Sequence, residues 1–151
     1  FICDRGVSHE FVRHRVFSFS QESTRYCNYS KSKFGRELTF IKPDWVDIMT
    51  IKEIDINGND LNMININTPE YLFIVSLIKS EDSYLGLLEK GWNPQEARQI
   101  LPNALKTELV MTGFVKDWKH FFKLRTAPNA HPQARELAIP LEEEFKKLKL
   151  I

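Results

Sequence analysis

The chain has 151 residues, of which 42% are hydrophobic and 27% charged, a composition typical of a globular domain that buries a core rather than of a disordered chain. Its formal net charge of +1 argues against a general attraction to nucleic acid, and no apolar run approaches the roughly 18–20 residues that a membrane span requires. Cys3 and Cys27 are too few for a disulfide-stapled secreted scaffold, so we expect free thiols and a cytoplasmic protein.

The first part of the chain predicts a strand, a short helix and an extended segment. Residues 1–3 are expected to end a strand and residues 4–6 to form a turn, after which Ser8 is the expected N-cap of the helix. Phe17 and Phe19 alternate with serines, which predicts extended backbone. Residues 28–67 are rich in polar side chains and indicate a variable excursion, with a strand-like piece from Leu38 to Ile41.

A long helix is predicted next. Thr68 is a good N-cap, Pro69 suits the first helical position, and Gly91 is a natural C-terminal stop. The expected apolar face consists of Tyr71, Ile74, Val75 and Ile78.

The remaining elements give the second half its helical character. We predict a short helix from Asn93 to about Pro102, a strand over 107–112, a helix over 116–124 and a final helix from residue 131 or 132. The inward side chains expected on the last two helices are Trp118, Phe121, Phe122, Ala138, Leu141, Phe145 and Leu148. The predicted fold class is therefore α+β, with helices packed on a small, mainly antiparallel sheet and a helix-rich second half.

Arginine is the only cationic residue type, histidine aside, at the start of the chain. Four of the eight arginines lie in the first 25 residues, where no lysine occurs, and all thirteen lysines come later. The planar guanidinium suits phosphate and carboxylate, whereas lysine is the usual solubilising cation. Residues 13–25 (RHRVFSFSQESTR) add a run of neutral hydrogen-bonding side chains. The segment therefore predicts a site for phosphorylated ligands, against the alternative of a solvated polar loop.

The spacing of Arg13 and Arg15 limits how they act. Successive residues step by about 100° around a helix, so on a regular helix these two side chains would point to nearly opposite sides. They would then serve two ligands or two subunits, or straddle a helix end.

Metal and nucleophile chemistry have weaker support. His9 and His14 are five residues apart, one more than the spacing that places two zinc ligands on one helix face, so no metal site is predicted. Ser23 lies outside any G-x-S-x-G elbow, and Cys27 has no obvious partner base.

Several stretches together resemble the flavin-dependent thymidylate synthases. The most specific is Arg13-His14-Arg15 followed by Ser23, Arg25 and Tyr26, in that family's RHR-x7-S-x-R arrangement. Further matches are Arg98 with the Leu-Pro that follows it, the T-G-x-x-x-x-W-x-H-F segment from Thr112 to Phe121, Leu124-Arg125, and the helix start with His131, Gln133 and Glu136.

The resemblance implies a methyl transfer without a cysteine nucleophile. Members of that family convert dUMP to dTMP, taking a methylene group from methylenetetrahydrofolate and a hydride from FAD that NADPH has reduced. They are homotetramers whose sites draw on several subunits, which would allow neighbouring arginines to face different ligands.

The resemblance also implies roles for individual residues. Arg125 matches the arginine that polarises the uracil, and it is the expected catalytic residue. The expected dUMP contacts are Arg5, Glu10, Arg13, Gln21, Glu22, Ser23, Arg25, Arg98 and Arg125. The expected FAD contacts are Arg13, His14, Arg15, Gln21, Phe114, Lys116 and His120.

The chain departs from the family pattern in three places. Phe114-Val115-Lys116 stands where members often have Asn-x-Arg, and the loop between Arg125 and His131 looks longer than in some members. From the resemblance, we expect this sequence to lack the family's N-terminal region, which contributes flavin and folate contacts. We expect residues 1–151 to form a single catalytic domain without that N-terminal part.

Two other hypotheses remain open at this point. The arginines with Phe17, Phe19 and Tyr26 could form a stacking platform for single-stranded nucleic acid. Alternatively, the chain could be a regulator that binds dUMP without turnover.

Overall fold

The computed structural model describes residues 1–29, 38–47 and 68–151. In chain order the elements are β1 (Ile2–Asp4), α1 (Arg5–Phe11), β2 (Ser18–Gln21), α2 (Pro69–Glu89), α3 (Pro94–Ala97) continued by a 3-10 turn (Arg98–Ile100), β3 (Lys106–Thr112), α4 (Val115–Arg125) and α5 (Pro132–Lys147). The predicted α+β class is confirmed. By its internal contacts the chain divides into two compact units, Phe1–Ser23 with Asn103–Ile151, and Thr24–Pro102.

The first unit is built on a three-stranded antiparallel sheet with the strand order β1-β3-β2. In the central strand the side chains of Thr107, Leu109 and Met111 alternate inward and are buried, as the period of two along a strand requires. Leu109 and Met111 belong to the hydrophobic core of this unit. Helices α1, α4 and α5 also contribute to this core, with Phe11, Trp118, Phe121, Phe122, Ala134 and Ala138. The predicted strand over 107–112 is confirmed. Of the extended segment predicted from Val16 to Phe19, the last two residues lie in β2, whereas the first two lie in the turn that precedes it.

Helix α1 begins earlier than the sequence suggested. Asp4 is its N-cap, with Oδ1 accepting a hydrogen bond from the Val7 N–H at 2.8 Å. The N–H of Arg5 donates to the carbonyl of Asn103 at 2.8 Å, so the chain turns into the helix directly from β1. The expectation that Ser8 is the cap was therefore wrong. Ser8 lies inside the helix, fully buried, and its hydroxyl donates to the Arg5 carbonyl at 2.9 Å.

The helices α4 and α5 agree closely with their predicted patterns. Trp118, Phe121 and Phe122 are buried, Ala138 is fully buried, and Leu141 and Phe145 pack against the core. Leu148 was wrongly placed on the inner face. It follows the last residue of α5 as the C-cap and is 67% exposed, because the helix ends one residue earlier.

The second unit contains the long helix α2 with the predicted signals at both ends. Thr68 accepts a hydrogen bond from the Tyr71 N–H at 3.2 Å, and Gly91 has φ 94°, the left-handed conformation that glycine tolerates. Among the neighbours that the structure describes, α2 buries only Tyr84, which lies outside the predicted face. Ile78 from that face is 38% exposed. Because apolar residues of α2 occur on all sides of the helix, its sequence does not indicate which stripe is buried.

The excursion over residues 28–67 falls largely outside the described residues. In its described part, Leu38 to Ile41 form no strand, and Phe40 makes only an isolated bridge. Of the helices that the structure describes, none combines the length and apolarity that crossing a membrane would need.

Candidate functional site

Arg125, the last residue of α4, is held by two residues that lie more than a hundred positions earlier. Its Nη1 donates to the Glu10 carboxylate, and its Nη2 donates to the Glu10 carbonyl at 2.7 Å. Its Nε donates to Nε2 of His14 at 2.9 Å. The three bonds fix both the position of the guanidinium and the orientation of its plane.

Local structure explains why Glu10 and His14 meet one arginine. Glu10 lies in the last turn of α1, which ends at Phe11, and the chain then forms a turn in which the His14 N–H donates to the Phe11 carbonyl at 3.0 Å. The His14 ring packs on Phe121 of α4, with ring centroids 5.0 Å apart. Since Phe121 lies one helical turn before Arg125, the same packing brings the arginine to the imidazole.

His14 is an uncharged imidazole at neutral pH. Burial, with added repulsion from Arg125 and His120, lowers the pKa of His14 from 6.5 to about 4. Because Nε2 accepts the bond from Arg125, the proton of the neutral ring is on Nδ1. His14 therefore contributes an acceptor here and not a positive charge.

A cavity of about 310 Å³ lies beside this network. Its lining consists of Arg13, His14, Arg15, Val16, His120, Leu124 and Arg125. Three guanidinium groups and two imidazoles with two apolar side chains suit an anionic ligand that also has an apolar part. The cavity gathers four of the seven residues predicted to contact FAD, together with the predicted catalytic Arg125.

Arg13 and Arg15 do not diverge as they would on a regular helix. Both follow the end of α1 and lie in the turn before β2, and both line the same cavity. Of the arrangements left open by their spacing, the structure places the pair beyond a helix end, where residues two apart can face one volume.

A second polar cluster surrounds Gln21. Its side-chain N–H groups donate to the hydroxyls of Ser8 at 2.8 Å and Thr107 at 3.2 Å. Arg5 reaches the same Thr107 hydroxyl at 3.5 Å. Two predicted dUMP contacts, Arg5 and Gln21, are thus brought together across the sheet. The adjacent Glu22 lies 3.8 Å from the Lys106 ammonium.

Two predicted phosphate contacts lie in the second unit. Arg25 donates from Nε to Oε1 of Gln95 at 3.1 Å, and its guanidinium lies 5.2 Å from the ring centre of Tyr26. Gln95 belongs to α3, and Arg98 is the residue that caps the end of the same helix. Both arginines are therefore positioned by the same short helix, Arg25 through its bond to Gln95 and Arg98 as the C-cap residue. Ser23, another predicted dUMP contact, is half-buried and is the last residue of the N-terminal segment of the first unit.

Phe114 and Lys116 are placed away from the cavity lining. Phe114 is 75% exposed at the N-terminus of α4, and the Lys116 ammonium lies 5.8 Å from its ring centre. Neither residue is among those that line the cavity.

The structure weakens the nucleic-acid alternative. Phe17 is 6% exposed and packs edge-on against Trp118 with centroids 4.8 Å apart, so its ring belongs to the core and is not offered for stacking. Within the described residues, no three histidine, cysteine or acidic side chains come together as metal ligands.

The sequence does not single out Ser8 and Thr107, whose hydroxyls accept hydrogen bonds from Gln21. Neutral hydroxyls give no charge signal, and their partner Gln21 is distant in sequence from Thr107. One sign was available, because Thr107 occupies an inward position in the alternation with Leu109 and Met111, where a polar side chain needs a buried partner.

Comparison with known proteins gives a consistent result. A family model described as thymidylate synthase complementing protein matches residues 1–149. Proteins named flavin-dependent thymidylate synthase are similar to the chain. The protein from Corynebacterium glutamicum is 31% identical over 140 residues, covering 89% of this chain and 51% of the relative. The protein from Pyrococcus horikoshii is 32% identical over 149 residues, covering 97% and 53%. The chain thus spans about half the length of the curated relatives it matches.

Proposed function

This chain belongs to the thymidylate synthase complementing protein family, and from that membership we propose that it takes part in the reductive methylation of dUMP to dTMP. The methylene group would come from methylenetetrahydrofolate, and the hydride from FAD reduced by NADPH. The observation that supports this most is Arg125, oriented by three hydrogen bonds at the edge of a cavity lined by arginine and histidine. The protein would act as a homotetramer.

The cavity suits part of an FAD molecule. Arg13 and Arg15 would bind its pyrophosphate, because guanidinium groups pair with phosphate oxygens in bidentate fashion. Neutral His14 and the nearby His120 would contact uncharged parts of the cofactor. FAD supplies the hydride chemistry, while these residues bind and orient it.

Two groups of residues, one within each unit, carry side chains that are suited to parts of a nucleotide such as dUMP. Its phosphate is a dianion near neutral pH, for which Arg25 and Arg98 provide positive charge. Within the first unit, Arg5 donates one N–H group to the Thr107 hydroxyl, and its other N–H groups would contact a sugar or base. Both amide N–H groups of Gln21 are bonded to the Ser8 and Thr107 hydroxyls, so Gln21 would contribute its carbonyl oxygen as an acceptor.

Arg125 would act on the pyrimidine through charge. When the uracil gains negative charge on the way to attack, a fixed guanidinium beside it stabilises that charge without having to reorganise first. The three hydrogen bonds that Arg125 makes within the chain provide this fixed geometry.

The proposal is tested by assaying dTMP formation with dUMP, methylenetetrahydrofolate and NADPH at saturating FAD. The parent protein is expected to form dTMP. Arg125→Ala is expected to lose most of its turnover, about 100-fold, as when one preorganised charge donor is removed. Lys123→Ala is the matched control, since it removes an exposed cation from the same turn of α4. A near-normal rate in Arg125→Ala would refute the role given to Arg125, and dUMP binding without dTMP formation would favour the regulator.

A further inference from the structure

We propose that Glu10 is a positioning residue that orients Arg125, and not a direct contact to the nucleotide as the resemblance implies. This inference rests on the proposed function, because it concerns how Arg125 is made ready for the role given to it there.

The geometry supports this reassignment. Two of the three bonds made by the Arg125 guanidinium go to residue 10, one to its carboxylate and one to its backbone carbonyl. The third bond, from Nε to His14, fixes the orientation of the guanidinium plane. Among the described residues these bonds occupy three of the five N–H groups of Arg125, so two are left for a ligand.

The charges of Glu10 and Arg125 also support a positioning role for Glu10. An isolated carboxylate next to a phosphorylated, electron-rich nucleotide would repel it. Paired with Arg125, whose side chain is 16% exposed against 36% for Glu10, the carboxylate instead holds the cation in place. The ion pair also reduces the net positive charge that a nucleotide meets, so its benefit has to come from orientation.

This leads to a specific kinetic signature. Glu10→Gln keeps the size of the side chain but removes its charge, which leaves Arg125 less firmly oriented and the site more positive. We expect kcat to fall about tenfold or more, since charge-assisted hydrogen bonds are the stronger class. The affinity for dUMP is expected to stay within about threefold of the parent value or to tighten.

A double-mutant comparison separates positioning from other roles. In an Arg125→Ala background, Glu10→Gln is expected to cause no further loss, because the group that Glu10 orients is gone. Glu144→Gln is the matched control, as it removes a carboxylate from another ion pair, with Lys147, on α5. A loss of dUMP affinity with unchanged kcat, or losses that add in the double variant, would overturn the proposal.

A measurement without turnover keeps this test independent of the proposed function. In the parent, solvent exchange of the Arg125 Nε–H, followed by NMR, is expected to be slowed by its bond to His14. Glu10→Gln is expected to speed this exchange at least several-fold, and Glu144→Gln to leave it unchanged. Equal protection in the parent and Glu10→Gln would contradict the inference. If the parent forms no dTMP, the proposed function fails while the exchange comparison still decides what Glu10 does.

Discussion

Replacing Arg125 by lysine keeps the positive charge and removes the planar fork, so this variant isolates the contribution of geometry. A single lysine ammonium can still pair with the Glu10 carboxylate. The bond to the Glu10 carbonyl at 2.7 Å and the bond to His14 at 2.9 Å are both expected to be lost.

The size of the effect follows from these two bonds. Each hydrogen bond contributes about 1 kcal/mol to the free energy of unfolding, and a buried acceptor left without a donor adds about 1–3 kcal/mol. His14 is only 7% exposed, so its Nε2 is such an acceptor. We expect Arg125→Lys to lower the free energy of unfolding by about 3–5 kcal/mol, which corresponds to roughly 6–20 °C in Tm for a chain of this size.

Urea unfolding followed by circular dichroism measures this directly. Lys123→Arg is the control, because it makes the reverse exchange at an exposed position in the same turn of α4. It is expected to stay within about 0.5 kcal/mol of the parent. If Arg125→Lys were as stable as this control, the hydrogen bonds of Arg125 would not hold α4 to the turn after α1.

Three further outcomes are expected. Gly113→Ala should lower the free energy of unfolding by about 1–3 kcal/mol, because the added Cβ would lie 2.3 Å from the ring of buried Phe17; an unchanged Tm would show that the ring moves freely. Because the pKa of His14 is below its unfolded value of 6.5, the unfolded chain binds the extra proton first, and stability present above pH 6.5 is lost towards pH 4. The difference between the unfolded and folded pKa values of His14, at 1.36 kcal/mol per pH unit, corresponds to about 3 kcal/mol of stability. His14→Gln should therefore flatten the dependence of the unfolding free energy on pH between 6.5 and 4; a slope that persists in this variant would mean that another group titrates there. Arg25→Ala should weaken dUMP binding at least about tenfold in an equilibrium titration, and unchanged affinity would mean that the phosphate binds elsewhere.

Local patterns predicted much of the fold. The buried Trp118, Phe121 and Phe122 follow from the helical spacing of apolar residues, and the ends of α2 follow from Thr68 and Gly91. These features depend on neighbours in sequence, which is why they could be identified without a structure.

Predictions that depended on distant partners were less complete. Asp4 and not Ser8 caps α1 because the carbonyl of Asn103 meets the helix start. In the candidate site, the arginine cluster at residues 13–15 was visible in the sequence. The hydrogen bond that Arg125 donates to His14 joins residues 111 positions apart, and no local pattern encodes such a contact.

The central claim is that this chain contributes to a site where a flavin and dUMP meet, and the visible spectrum of the purified protein tests it most directly. We predict a yellow protein that releases flavin on denaturation and whose flavin spectrum shifts when dUMP is added. A colourless protein that takes up no FAD on reconstitution, or a flavin spectrum indifferent to dUMP, would contradict the claim.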